Sequence, residues 1–171
     1  INQLIQTALL DSAKYRLSIG VVDVGKTVKT VLDAVKPQIQ ERKIRMKVTL
    51  PKPAPVFQAD AGALQEILTQ LVHNALIASP LEGEVKLRVR LEERDGQKHL
   101  LFQVTDSGEG IPSEEMPLVF TRLYRVENAP VRGIGDSGIG LTIAKTLVEA
   151  MNVHIWVDSE VGSGSTFSFL L

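Results

Sequence analysis

Three stretches of this sequence hold residues whose types and spacing could do chemistry. The first is Asp106-Ser107-Gly108-Glu109-Gly110-Ile111. It ends an alternating run, Leu100, Phe102, Val104 and Asp106, that puts a carboxylate on the same strand face as three apolar side chains. A charge on that face is costly unless hydrogen-bonded, so Asp106 should meet a strong donor. The two glycines would let backbone pass close to a ligand. An ordinary Asp-Ser-Gly turn with a solvated carboxylate is the alternative that these residues alone leave open.

The second stretch is Gly133-Ile134-Gly135-Asp136-Ser137-Gly138-Ile139-Gly140, running directly into a helix with apolar Leu141, Ile143, Ala144, Leu147 and Val148. Backbone amides and the positive end of a helix dipole would converge there on an anion, as in a phosphate-binding loop; a merely flexible loop is the alternative. With no preceding strand, no ribose-binding acid about 20 residues on and no Gly-Lys-Ser/Thr, it is neither a dinucleotide fingerprint nor a P-loop. The third is Asn74, one turn after Gln70 on a long helix. Asn is a poor mid-helix residue, which suggests either a carbonyl offered to Mg²⁺ or a hydrogen bond to a neighbouring loop. The adjacent His73 faces elsewhere and reads as surface or packing.

The balance of charge is 19 Lys and Arg against 20 Asp and Glu, which argues against a chain built to coat nucleic acid or an anionic membrane. With no cysteine and three scattered histidines, disulfides, thiolate sites and zinc spacing are excluded. No apolar run approaches the roughly 18 residues of a membrane span. At 171 residues the chain fits one domain plus a short appendage. It opens at Ile1 without a basic-then-apolar leader and reads as a piece of something longer, on the inside of a cell.

The elements that must position these residues follow from periodicity. Ile1, Leu4, Ile5, Ala8 and Leu9 form an apolar helical stripe, packed on its own domain or severed from a dimerising helix. Asp23 should cap a helix running toward Ile39 that Pro37 kinks or shortens. Residues 44 to 50 alternate as a half-buried strand, Pro51 to Pro55 connect, and Asp60 caps a long helix that stops at Ser79-Pro80. Val85 to Leu91 and Lys98 to Thr105 form a hairpin about Asp95-Gly96. A helix over 140–151, a strand over 153–158 and a return over 165–171 complete the chain. Antiparallel strands with grouped helices predict an α/β two-layer sandwich, with a mixed, mostly antiparallel sheet of about five strands on about three helices.

Taken in order, Asn74 with its helix, Asp106 to Ile111, Phe120 to Arg125, Gly135 to Leu141 and Gly162-Ser163-Gly164-Ser165-Thr166-Phe167 resemble the N, G1, F and G2 boxes and closing strand of the ATP-binding catalytic domain of sensor histidine kinases. This is the Bergerat-fold superfamily shared with type II topoisomerases, Hsp90 and mismatch-repair ATPases. The resemblance covers roughly residues 21–171, and Val119-Phe120-Thr121-Arg122-Leu123-Tyr124-Arg125-Val126 looks specifically like the kinase branch.

That resemblance implies that Asp106 accepts a hydrogen bond from the adenine amino group, with Thr166 supporting it through water. Gly108, Gly110 and Ile111 would line the base, Asn74 would hold Mg²⁺, and Gly135, Gly138, Ile139, Gly140 and Leu141 would form the lid over the phosphates. Arg122 or Arg125 would lie near the γ-phosphate, which would pass to a histidine on a separate helical domain. No acceptor-histidine motif occurs, and His73, His99 and His154 lie inside the catalytic domain. Residues 1–20 would then end a dimerisation helix and linker, and 21–171 would be the ATP-binding domain of a cytoplasmic part of a homodimeric sensor. Its partners would be its own phosphoacceptor domain and a response regulator, with no nucleic acid and no membrane contact by this piece. Gln70, Ile77 and Ala78 depart from the family's usual Asn, basic and aromatic residues, and Met151-Asn152-Val153 replaces His-Gly-Gly. Those departures keep two alternatives in view: a degenerate docking module, or another ATPase of the superfamily such as an anti-sigma-factor serine kinase.

Overall fold

A computed structural model describes residues 16–121 and 138–171. The expected stripe of Ile1 to Leu9 lies outside the described residues. In chain order the elements are β1 (Ile19–Asp23), α1 (Val24–Glu41), β2 (Arg45–Thr49), β3 (Val56–Asp60), α2 (Ala61–Ala78), β4 (Glu84–Arg94) and β5 (Gln97–Thr105). After a short 3₁₀ turn over Met116–Leu118 come α3 (Gly140–Ala150), β6 (Ile155–Glu160) and β7 (Gly164–Leu170).

Local chemistry explains the helix starts. Asp23 caps α1 by accepting from Lys26 N at 3.0 Å, and Val24, Val28, Val31 and Val35 are its buried stripe. Pro37 does not shorten α1, which runs on to Glu41; with no N–H of its own it removes one ladder bond from the second half of the helix. Asp60 is buried and does two jobs. Its Oδ1 caps α2 by accepting from Ala63 N at 2.8 Å, and its Oδ2 accepts from Ser18 N at 2.7 Å, fastening the chain just before β1. At the end of α3, Asn152 takes a φ of 59°, the left-handed conformation that Asn tolerates at a helix C-terminus.

The main sheet has the order β2-β4-β5-β7-β6, parallel only at β2–β4. The expected mixed, mostly antiparallel five-stranded sheet and three helices are both present. β4 and β5 turn through Asp95 and Gly96, both with positive φ, in a two-residue hairpin loop. On the sheet face toward the helices lie Val85, Leu87, Val89, Leu100, Phe102, Val104, Phe167 and Phe169, all buried among residues of α1, α2 and α3. Phe102 and Phe169 face each other in register and stack at 4.8 Å, with 2° between the rings.

A second, two-stranded sheet was not expected from the sequence. β1 pairs antiparallel with β3, from Ile19 opposite Asp60 to Asp23 opposite Val56. Neither strand alternates in hydropathy, because Ile19, Val21 and Val56 are exposed while Val22 and Ala59 are buried. β1 begins two residues before the expected domain start at residue 21. No helix of the described residues is long and apolar enough to cross a membrane.

The packing makes a sharp contrast testable. Phe102→Ala, at a fully buried stacked ring, should cost about 3–5 kcal/mol in urea unfolding. Val21→Ala, at an exposed β1 position, should stay within about 0.5 kcal/mol.

Candidate functional site

Asp106 stands where β5 ends. Its amide donates to Ser165 O at 2.9 Å, the last backbone bond to β7, and its side chain turns to the core side as the alternation requires. Only 4% of the residue is exposed. Oδ1 accepts from Gly108 N at 2.8 Å and from Ser165 N at 3.2 Å, so the strong donors expected for this carboxylate are two backbone amides. Among the described residues no cation pairs with it. Burial pushes its pKa above the ordinary 3.8, and the two amide bonds pull the other way without restoring it. The solvated-turn alternative is therefore excluded.

The loop after Asp106 is held by close backbone approach. A Cβ on Gly108 would stand 2.6 Å from the Ala78 carbonyl oxygen. Gly110 has φ +76°, and a Cβ there would collide with the Glu160 carbonyl. Ile111, nearly buried, donates its amide to Ser159 Oγ at 2.8 Å, and Gly162 N donates to Glu109 O at 2.6 Å. Residues 106–111 are thus wedged between the end of α2 and the β6–β7 turn. The same turn brings Gly164, φ +85°, so close that a Cβ would meet the Asp106 carbonyl.

Asn74 lies half-buried on α2 and its side chain makes no hydrogen bond among the described residues, so the alternative of an Asn spent on a neighbouring loop finds no support there. One turn before it, Gln70 donates to Glu66 Oε1 at 2.7 Å, and its Oε1 is 2.6 Å from where a Cβ on Gly140 would stand. One turn after it comes Ala78, whose carbonyl supports Gly108. Positions four apart share a helix face. The row Gln70, Asn74, Ala78 therefore runs from the N-terminus of α3 to the Asp106 loop, with Asn74 between them.

The start of α3 has Ile139 as its N-cap and no side-chain capping bond. Gly138 takes φ +64°, and Thr142 Oγ1 donates to Phe120 O at 3.3 Å, joining α3 to the segment in which Phe120 sits edge-on to Phe167 at 5.9 Å. First-turn amides without a side-chain cap are the donors an anion takes at a helix N-terminus. No group of three His, Asp or Glu that could hold a metal ion occurs among the described residues. A single Asn oxygen fits Mg²⁺ only if phosphates and water complete the shell. Arg122, Arg125 and Gly135 lie outside the described residues.

Thr166 is placed differently from the role expected of it. It pairs with Thr105, hydroxyl to hydroxyl at 2.9 Å, and strand alternation puts both on the face away from Asp106. The β7 residue against the carboxylate is Ser165, 5% exposed, through its amide and with its Oγ 2.9 Å from Ser159 Oγ. The signal was the sequence offset: Ser165, Phe167 and Phe169 share the inward face with Asp106, and Thr166 does not.

Residues 59–171 match the family described as histidine kinase-, DNA gyrase B- and HSP90-like ATPase. Over 171 residues the chain is 31% identical to the sensor histidine kinase WalK of Bacillus subtilis (strain 168), covering all of this chain and 28% of that protein. It is 33% identical over 176 residues to the aerobic respiration control sensor protein ArcB of Escherichia coli (strain K12), covering 99% of the chain and 22% of ArcB. The chain thus spans less than a third of either relative. Among solved structures, full-length ShkA in complex with AMPPNP superposes with a TM-score of 0.82 at 28% identity, over 99% of this chain and 34% of that one. The nucleotide-free catalytic domain of histidine kinase ThkA shares the fold, with a TM-score of 0.75 at 20% identity over 91% of this chain and 95% of that one.

Two stability measurements check the site geometry. The folded chain holds a proton on Asp106 more tightly than the unfolded chain does, so between 3.8 and the raised value its contribution to stability falls as pH rises. Asp106→Asn should therefore melt at or above the wild-type temperature near neutral pH, with the gap closing on acidification. Gly162→Ala, in open space at φ +85°, should cost about 1 kcal/mol. Gly164→Ala, at the same φ but against the Asp106 carbonyl, should cost about 2–4 kcal/mol by thermal denaturation.

Proposed function

We propose that this chain, which belongs to the histidine kinase-, DNA gyrase B- and HSP90-like ATPase family, is the ATP-binding catalytic domain of a two-component sensor histidine kinase. The observation that carries this is the placement of Asn74 on α2, with the glycine-flanked, buried Asp106 loop at one end of its face and the α3 N-terminus at the other. That spacing suits a ligand with a neutral ring at one end and phosphates at the other.

In this proposal Asp106 accepts from the adenine amino group through the carboxylate edge that Gly108 and Ser165 do not fill. Because Oδ1 is already fixed by two amides, the acceptor is oriented before the base arrives. Gly108 and Gly110 keep the loop thin enough for the base to lie against backbone, and Ile111 adds apolar contact. Ser165 takes the supporting place first expected of Thr166. At the other end Gly138, Ile139, Gly140 and Leu141, with Gly135, present amides to the phosphates. Asn74 holds Mg²⁺, which when bound neutralises charge on the phosphates. Arg122 or Arg125 offers planar donors to the γ-phosphoryl as it transfers to a histidine imidazole, so that the protein's work is positioning and charge neutralisation.

The acceptor histidine belongs to an adjoining dimerisation domain, whose helix and linker end within residues 1–20, and 21–171 form the catalytic domain. The whole protein would be a homodimer acting in the cytoplasm and passing the phosphoryl group to a response regulator. A degenerate docking module is the second reading, motivated by Gln70, Ile77 and Ala78 standing where the family usually has Asn, a basic and an aromatic residue, and by Gln70 being engaged with Glu66 on its own helix.

Calorimetry on the 171-residue chain separates the two. Mg²⁺-dependent ATP binding at millimolar or lower concentration is expected, with at least a tenfold loss in Asn74→Ala. Incubation with a supplied phosphoacceptor domain should yield an acid-labile phosphohistidine. Absence of binding at millimolar nucleotide would support the docking module, and an acid-stable phosphoserine would support a serine kinase.

A further inference from the structure

Asn74 and Asp106 sit on different elements, so something must fix their separation. Ser79, the C-cap of α2, is 1% exposed. Its Oγ accepts from Ser107 N at 3.2 Å and donates to Glu84 O at 3.5 Å, while Ser107 Oγ accepts from Glu84 N at 2.9 Å. The backbone register of β4 with β5 ends at Lys86 opposite Thr105. Glu84 and Ser107 lie two residues further on each strand. Two hydroxyls thus continue the pairing after the backbone ladder has stopped, leaving residues 106–110 free to depart from the sheet yet pinned at Ser107.

The pin is itself anchored. The carbonyl of Ser79 accepts from Arg42 Nη2 at 2.7 Å, a cation placed at the negative end of the α2 dipole. Gly108, the residue after Ser107, lies against the Ala78 carbonyl and gives its amide to Asp106 Oδ1. A displacement of Ser107 would therefore reach the carboxylate through one residue. Asn74 is five residues before Ser79 on the same helix.

We infer that Ser79 is a positioning residue for nucleotide binding: through Ser107 it sets the spacing between the base end of the site and Asn74. The inference rests on the ATP-binding proposal above, and the test separates the two. Ser79→Ala leaves the Ser107 amide without its acceptor, and Ser107→Ala, at an exposed position, removes the reciprocal bond. In the 171-residue chain, affinities for Mg-ATP and Mg-ITP are measured by calorimetry at a temperature where melting curves show each variant folded. ITP carries a carbonyl where ATP carries the amino group, so it lacks the exocyclic donor that the proposal assigns to Asp106, and its one remaining donor on that edge, N1–H, sits at a different place.

Wild type should prefer ATP. Each serine variant should bind ATP about three- to tenfold more weakly with a smaller loss for ITP, so that the preference shrinks. A purely structural serine would lower the melting temperature and leave the preference unchanged. An unchanged ATP-to-ITP ratio in a folded variant overturns the inference alone; if Ser79→Ala does not fold, Ser107→Ala decides. Wild type that binds neither nucleotide overturns both the inference and the proposal beneath it.

Discussion

A carboxylate kept in the core side of a β-sheet, with no cationic partner among the described residues, is the constraint around which the rest of the site is arranged. Asp106 ends a strand whose other inward residues are Leu100, Phe102 and Val104, all fully buried. Its pKa lies above the ordinary value because burial disfavours the charge more than two amide bonds favour it. Groups held in this state cost stability and are characteristic of functional sites. The surrounding sequence accommodates the cost locally. Gly108 turns its amide back to the carboxylate, Ser165 supplies a second from β7, and Gly164 allows that strand to come close enough to do so.

The scaffold transmits this constraint to the far end of the site through α2. Its buried stripe from Ala63 to Leu76 locks the helix to the sheet and to its neighbours, so the half-buried row at Gln70, Asn74 and Ala78 keeps a fixed direction. One end of that row supports Gly108 and the other meets Gly140 at the start of α3. A helix of 18 residues is therefore the ruler between the buried Asp106 loop and the uncapped N-terminus of α3, the two ends to which the proposed function assigns the base and the phosphates. Near-zero net charge is compatible with the proposed phosphate handling, because backbone amides and the metal that the proposal gives to Asn74 would need no basic surface.

Much of this was legible in the sequence for specific reasons. Asp23 and Asp60 mark their helices as N-caps, Asp95-Gly96 marks its hairpin, and the strand alternation by itself places Asp106 inward. The small β1–β3 sheet was not legible, since exposed Ile19, Val21 and Val56 blur the alternation and the proline-rich connector hides the pairing across it. On β7 the core positions Phe167 and Phe169 share their face with Ser165, which meets the Asp106 carboxylate, whereas Thr166 meets Thr105 on the other face. The Ser79–Ser107 clamp had no signal at all, because a serine at a helix stop reads as punctuation until the partner strand is seen. The arginines expected at the γ-phosphate lie outside the described residues.

In the proposed function the buried Asp106 carboxylate is the acceptor that recognises the base. Mg-ATP affinity of Asp106→Asn beside wild type, at neutral pH and with both chains shown folded, tests it most directly. The variant should lose at least about tenfold in affinity, because the oriented carboxylate is replaced by a group that also presents N–H donors. Equal affinity in two folded proteins would contradict it.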